Sequence, residues 1–397
     1  MKLPRSLDSK PTETKWRGHR AALLANDQIR SCVLENGGVI AHLGFVDLES
    51  RVQRNALWEA PWWNDCPRLT TEEELIRLYG DLGGGRFLQN FTGHALCLDS
   101  FGPATEAAVA AGSGLHGEAS IVPWKLLVRD PTHLSAQTDL PFAQLHVKRD
   151  FELVGQEAVL RVRESVTLLQ PSREIHWVQH ATVGAPLFGQ TSRVSTSARV
   201  GMTSSEPYCG GNLLAEDESF IWPHTPMPEG GVVDLRRLFA HSGTGFLVAL
   251  LQPKEAKYGF VAVTDSAKGI SLIYVFASSN FPWLTLWEEN CCRKEFPWMG
   301  KVQARGLEFG TTPWPFGNER NDEAGPLLAT PTSRLVHSGE TAVAPWIVAL
   351  ATTPGHWDSL DEVIVERNEL LLCNGAERLS LRAKGVQAFL DDMETNR

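Results

Sequence analysis

Hydrophobic and polar residues alternate along much of this chain. From Ala143 the sequence reads AQLHVKRDFEL, turns at Gly155, and continues EAVLRVRESVTL. In the second run Val159, Val162, Val166 and Leu168 interleave with Arg161, Arg163, Glu164 and Thr167. A period of two sends alternate side chains to opposite faces, so the pair reads as an antiparallel hairpin with one wet face. The alternation slips at Arg163–Glu164, which the pattern assigns to a bulge. Further strand-like runs are GFLVALLQ from Gly245, YGFVAVTD from Tyr258, SLIYVFA from Ser271, PWLTLWE from Pro282 and PWIVALA from Pro345. Gly, Pro, Asn and Asp separate many of them at short spacing. This predicts an all-β chain, a large antiparallel β-sandwich, and not alternating βα units. Helical signals are few. TTEEELIRLY, Thr70 to Tyr79, has an N-capping Thr and early acids and predicts a short helix, and DSLDEV, Asp358 to Val363, predicts a helical turn. No linker, low-complexity tract or fixed repeat breaks the pattern. Residues 21–397 are therefore expected to form one domain, preceded by an extended arm over residues 1–20.

Composition narrows the function classes. Of 397 residues, 43% are hydrophobic and 21% charged, which is globular and not disordered. The net charge of −10 argues against nucleic acid and anionic membranes, which would repel the chain. No apolar run reaches the roughly 18 residues of a membrane-spanning helix. The first residues, MKLPRSLDSK, are basic with no apolar segment behind them, unlike a secretory signal. The 7 Cys include no CxxC pair, and adjacent Cys291 and Cys292 are poorly placed to bridge to each other. Reduced thiols in a cytoplasmic protein are the expectation.

Several familiar motifs fail. The glycine run Gly80 to Gly85 (GDLGGG) is followed by Arg86-Phe87, so the lysine of a phosphate loop is absent. No GxGxxG or GxSxG occurs. His176 and His180 have the spacing of a helical zinc pair, but EIHWVQHATVG reads as a strand. There the two would lie roughly 13 Å apart, too far to share an ion, so no metal is expected. The 13 Trp outnumber the 4 Tyr, and Trp283, Trp287, Trp298 and Trp314 cluster. Each singly suits a sandwich core better, while the clustering beside carboxylates and an Arg points to at least one Trp at a sugar site, where an indole face packs on pyranose C–H groups.

Three segments carry the chemistry. They are GLHGE at Gly114 to Glu118, HWVQHATVG at His176 to Gly184, and RGLEFGTTPWP at Arg305 to Pro315. Their order and local contexts resemble the galactose mutarotase-like (aldose 1-epimerase) superfamily. In that family a His-Gly turn follows an early strand, as His116-Gly117 does. A second His lies at a strand end that runs into small and apolar residues, as His180 does. The family's base is a Glu in a Leu-Glu segment followed by Pro, which Leu307-Glu308 and Pro313 resemble. Weaker echoes are the Trp283–Trp287 strand, the Ser338-Gly339-Glu340-Thr341 turn, and Gly85-Arg86, similar to the segment that brings a sugar-binding Arg. The resemblance runs roughly from residue 32 to residue 351. It implies the mutarotase-like sandwich and the interconversion of sugar anomers by acid-base catalysis. Glu308 would be base, His180 acid, and His116 a partner of the ring oxygen or a hydroxyl. Arg86, His241, Trp287 and Trp314 would meet the sugar. A Glu and a His suffice for this chemistry near neutral pH, and no cofactor is required. One departure stands out. The family's hydroxyl-gripping Asp falls near His241-Ser242-Gly243-Thr244-Gly245, where this chain has none.

Two other classes stay open at this point. One is a different sugar-active enzyme on the same sandwich: a hexose-phosphate epimerase using basic residues among Arg86, Arg293, Lys294 and Arg305, a lyase, or a glycosidase with paired carboxyls. The other is a non-catalytic sugar-binding protein. Glu288, Glu289 and Glu295 are competing carboxylates expected at the rim. The expected partner is a monosaccharide or sugar derivative, and the expected state is a monomer or homodimer.

Overall fold

The alternating runs pair antiparallel into two large sheets, one of 13 strands and one of 8. The computed structural model describes residues 13–46, 55–65, 68–209, 213–317 and 328–392. The centre of the larger sheet runs through His94–Leu98, Trp177–Gly184, Gln303–Gly310, Trp283–Asn290 and Thr244–Leu251, in that spatial order. The smaller sheet centres on Ile270–Ala277, Thr341–Thr352, Val159–Leu168 and Leu145–Leu153. Between them lies a continuous apolar layer that includes Leu96, Ala181, Leu284, Leu286, Leu307 and Phe309 from one sheet, and Leu160, Val162, Leu272, Tyr274 and Trp346 from the other. The all-β antiparallel sandwich is thus the observed fold.

The predicted hairpin is present, with its strands at Leu145–Leu153 and Val159–Leu168. The bulge is not: the register runs unbroken from Leu145↔Leu168 to Leu153↔Leu160. Glu164 keeps strict alternation with Val162 and Val166 and faces the core, where Arg149 Nε donates to its Oε1 at 2.9 Å. What looked like a slipped hydrophobic position is a buried ion pair. Trp177 Nε1 and Gln179 Nε2 donate to the other carboxylate oxygen at 2.8 and 2.5 Å. The outer face is also drier than alternation implied. A third sheet, Glu362–Val365, Glu369–Asn374 and Glu377–Arg382, lies over it with the helix Val386–Asp391. It covers Val159, Phe260, Ile273, Val275 and Ile347. Strands buried on both faces read as unbroken apolar runs, which explains SLIYVFA.

Other expectations are corrected. Asp358 to Val363 is no helical turn; it leads into the strand Glu362–Val365. The expected helix starts earlier, at Arg68, and runs to Tyr79, so Thr70 and Thr71 lie inside it and do not cap it. Of the expected N-terminal arm, Glu13–Trp16 and His19–Ala25 pair as a hairpin at the edge of the large sheet. Residues 1–12 of that arm lie outside the described residues. Among the described residues no helix is long and apolar enough to cross a membrane.

Candidate active site

Two adjacent strands of the large sheet carry the centre of the site. His180 and Glu308 are direct partners in the ladder between Trp177–Gly184 and Gln303–Gly310. Leu307 and Phe309 fill the inter-sheet core, so a period of two turns Glu308 to the other face. There His180 Nε2 and Glu308 Oε1 lie 3.4 Å apart. Gly306, two residues earlier on that same face, makes the room: a Cβ at Gly306 would fall 2.2 Å from Glu308 Oε1. Thr182 Oγ1 lies 3.2 Å from His180 Nδ1 on the far side of the ring.

The third group arrives on a turn. His116 and Gly117 have φ of +62° and +82°, the left-handed region that favours glycine. A Cβ on Gly117 would sit 2.2 Å from the Leu98 carbonyl oxygen, so glycine alone lets the turn press against the sheet. The Gly102 N–H donates to His116 Nδ1 at 3.1 Å. A neutral imidazole that accepts at Nδ1 carries its proton on Nε2, so His116 offers a donor. Its ring centroid is 5.3 Å from that of His180, at 80°.

His180, His116 and Glu308 all line one cavity of about 300 Å³. Phe87, Phe91, Tyr208, Trp287, Trp298 and Phe316 are the aromatic residues of its wall. The Arg293 guanidinium joins it, 4.5 Å from the Trp298 ring centroid and 5.2 Å from that of Tyr208. Burial sets the proton inventory. Desolvation raises the Glu308 carboxyl from its ordinary 4.5 to about 8. It lowers His180 to about 4, and drives His116 well below its usual range, helped by the charges of His180 and Arg293. At neutral pH the 3.4 Å contact therefore joins a protonated carboxyl to a neutral imidazole and is not an ion pair.

No family model and no curated protein sequence matches the chain. Solved structures do. A candidate aldose 1-epimerase from Klebsiella pneumoniae aligns with a TM-score of 0.58 at 14% identity, over 85% of this chain and 80% of that one. A candidate aldose 1-epimerase from Escherichia coli aligns at 0.56 and 12% identity, over 84% and 99%. A galactose mutarotase-like protein from Lactobacillus casei aligns at 0.53 and 12% identity, over 83% and 100%. The chain has the galactose mutarotase-like fold.

On this mutarotase-like frame some expected contacts sit elsewhere. Trp287 lines the cavity, and its Nε1 donates to the Tyr208 hydroxyl. Trp314 is buried behind the wall, stacked on Phe316 with ring centroids 5.5 Å apart. Arg86 does not line the cavity. It is half exposed, and its Nε is 2.6 Å from Asp81 Oδ1. The wide helical turn Asp81–Gly85 runs straight into the helix Arg86–Asn90, which faces Phe87, Leu88 and Phe91 inward and Arg86 outward. His241 is exposed and outside the cavity; only its carbonyl is engaged, by Asn290 Nδ2 at 3.0 Å and Thr244 Oγ1 at 2.8 Å.

Of the expected rim carboxylates, Glu295 is exposed. Glu288 points into the inter-sheet core and pairs with fully buried Arg305. Glu289 is buried beneath Cys292 and Arg293, whose N–H groups it accepts. Arg293 is thus the nominated basic residue that reaches the cavity, since Lys294 turns back to the Cys291 carbonyl at 2.7 Å. The expectation of reduced thiols is also corrected: Cys209 and Cys292 are joined by a disulfide, while Cys32, Cys97, Cys291 and Cys373 are free. Cys66 lies outside the described residues.

Phe87 and Phe91 went unread, though an i, i+4 aromatic pair behind a glycine run is a helix-face signal. Tyr208 lies in a segment of no regular pattern and carries no such signal, whereas Trp298 belongs to the Trp cluster that the sequence already shows.

Proposed function

We propose that the chain is an aldose 1-epimerase-like isomerase that interconverts the anomers of a monosaccharide or sugar derivative. The observation that supports this is the approach of His180 and Glu308 to 3.4 Å in an aromatic-walled cavity with the His116 donor beside them. Mutarotation takes the proton from the anomeric hydroxyl, delivers one to the ring oxygen, and closes the opened aldehyde on its other face. One base and one acid are needed, and a pair holding a single proton supplies both. The resting proton is on Glu308. Sugar hydroxyls that hydrogen-bond to the carboxylate favour its ionised form, and the proton then passes to His180 as the 3.4 Å contact tightens around the bound sugar. Glu308 takes the anomeric proton, protonated His180 serves the ring oxygen, and the His116 Nε2–H steadies a sugar oxygen. Trp287, on the cavity wall, offers its indole ring to the C–H side of a pyranose.

The test is polarimetry on freshly dissolved α-anomers of several aldoses and their phosphates. Glu308→Gln keeps the shape and lacks the base, and is expected to slow catalysed relaxation by about 10²–10⁴. Wild-type rate is expected to be bell-shaped in pH. It falls below about 4, where His180 is already protonated and the pair has no base, and above about 8, where Glu308 has lost the shared proton. Full activity in Glu308→Gln would overturn the base assignment. Binding of a sugar with no rate acceleration would favour a sugar-binding protein, a reading that the lack of an Asp in the His241–Gly245 segment supports.

A further inference from the structure

A second chemistry lies against the cavity wall and takes no part in those proton transfers. Tyr208 and Arg293 line the cavity, and each is the chain neighbour of a cysteine, Cys209 and Cys292. The two cysteines, 83 residues apart in sequence, are disulfide-bonded with a Cα–Cα separation of 5.9 Å, ordinary for such a link. Buried Glu289 lies beneath them. Its Oε1 accepts the N–H of Cys292 at 2.7 Å and of Arg293 at 3.0 Å. Its Oε2 is 3.2 Å from Cys292 Sγ and 3.8 Å from Cys209 Sγ.

This arrangement accommodates two states. With the sulfurs joined, Oε2 faces atoms that carry no proton. Once they are reduced, each thiol becomes an S–H donor aimed at that oxygen, while the two backbone N–H groups keep Glu289 in place. The link also holds a backbone conformation: Cys209 has φ of +55°, where residues with a Cβ rarely stay unaided. Among the described residues, Cys209, Glu289 and Cys292 also form the one group with metal-ligand spacing. Two of its three ligand atoms are bonded to each other, which decides between the readings.

We propose that Cys209–Cys292 is a reversible thiol–disulfide site whose state sets the Tyr208–Arg293 wall of the cavity, with a dithiol reductant as its co-reactant. A thiolate of the dithiol attacks one sulfur, the S–S bond breaks, and the released sulfur takes a proton. The second thiol of the reductant then closes its own disulfide and frees the other cysteine. Two electrons and two protons pass to the protein, and the dithiol becomes a cyclic disulfide. Oxidised, the link pins Tyr208 beside Trp287 and Arg293 over Trp298. Reduced, Tyr208 keeps its hydrogen bond from Trp287 but loses the covalent tie to the Arg293 segment.

The experiment uses the full chain, air-oxidised and then treated with dithiothreitol. Peptide mapping without reductant should recover a linked Cys209–Cys292 peptide. Hydrogen exchange at residues 204–209 and 291–298 should quicken several-fold on reduction, with 303–310 unchanged, and should return on reoxidation. Cys209→Ser should exchange like the reduced wild type and ignore dithiothreitol. If that variant fails to fold, the wild-type redox comparison still decides. These readouts need no sugar, so they stand or fall apart from the isomerase reading. Both thiols alkylated in full after air oxidation, an exchange pattern unchanged by reduction, or stoichiometric zinc held by the two thiols would each overturn the proposal.

Discussion

Glu308 shows at the scale of a single residue what it costs to bury a carboxyl inside an apolar cavity. Below about pH 4.5 its carboxyl is protonated in folded and unfolded chains alike. From there to about 8 the unfolded chain releases a proton that the folded chain keeps, so stability falls as pH rises, and above 8 the whole penalty is present. Each pKa unit is worth about 1.4 kcal/mol. Glu308→Gln should therefore be more stable than wild type by several kcal/mol at pH 8, and nearly equal to it at pH 4.5, in denaturant titrations at both values. A difference that does not grow with pH would contradict this. The meeting of His116, His180 and Glu308 in one cavity was legible in the sequence because each has a local signature: a His-Gly turn, a strand-end His, a Glu between apolar neighbours. Arg86 and His241, expected beside them, lie outside that cavity, because a residue's neighbours in the chain do not reveal which way a helical turn or a hairpin tip points it.

At the scale of the element, period two was enough to place the principal strands, and it failed where a charge is buried. Glu164 broke the hydrophobic pattern without breaking the strand, since Arg149, Trp177 and Gln179 satisfy it between the sheets. Glu164→Ala should leave the Arg149 guanidinium without its counter-charge in the core and cost about 3–5 kcal/mol, read as a lower denaturation midpoint; a loss under 1 kcal/mol would show the pair to be incidental. Gly306 is a case of opposite sign. The nearest atoms to its added Cβ would be Oε1, Cδ and Cγ of the Glu308 side chain, so Gly306→Ala should spare the fold while pushing the carboxyl off its partner. Catalysed anomerisation should drop at least about tenfold with little change in melting temperature; an unaltered rate would mean that the Glu308 position is not critical.

Across the whole molecule three sheets stack on one another, and the third was the part least visible in advance. Its strands are short and only half buried on the sequence pattern, and its first residues imitate a helical turn. Ending the chain before Glu362 would uncover Phe260, Ile273, Val275 and Ile347 together, and burial of each such side chain contributes about 1.5–3 kcal/mol. The shortened chain should melt far lower or precipitate, by calorimetry and light scattering; an unshifted melting temperature would contradict the packing role. The same logic explains how structures at 12–14% identity share this architecture, because a sandwich core accepts extensive hydrophobic exchange if volume and alternation are kept. The His180–Glu308 rung has a heritable side to it. A single deletion inside either strand would swing that strand's half of the pair through to the core and take the pair apart at one stroke. Length changes in the segments that carry Phe87, Tyr208, Trp298 and Phe316 leave the register of the rung untouched. Lineages descended from such a chain are thus free to reshape the cavity wall while inheriting the pair set into it.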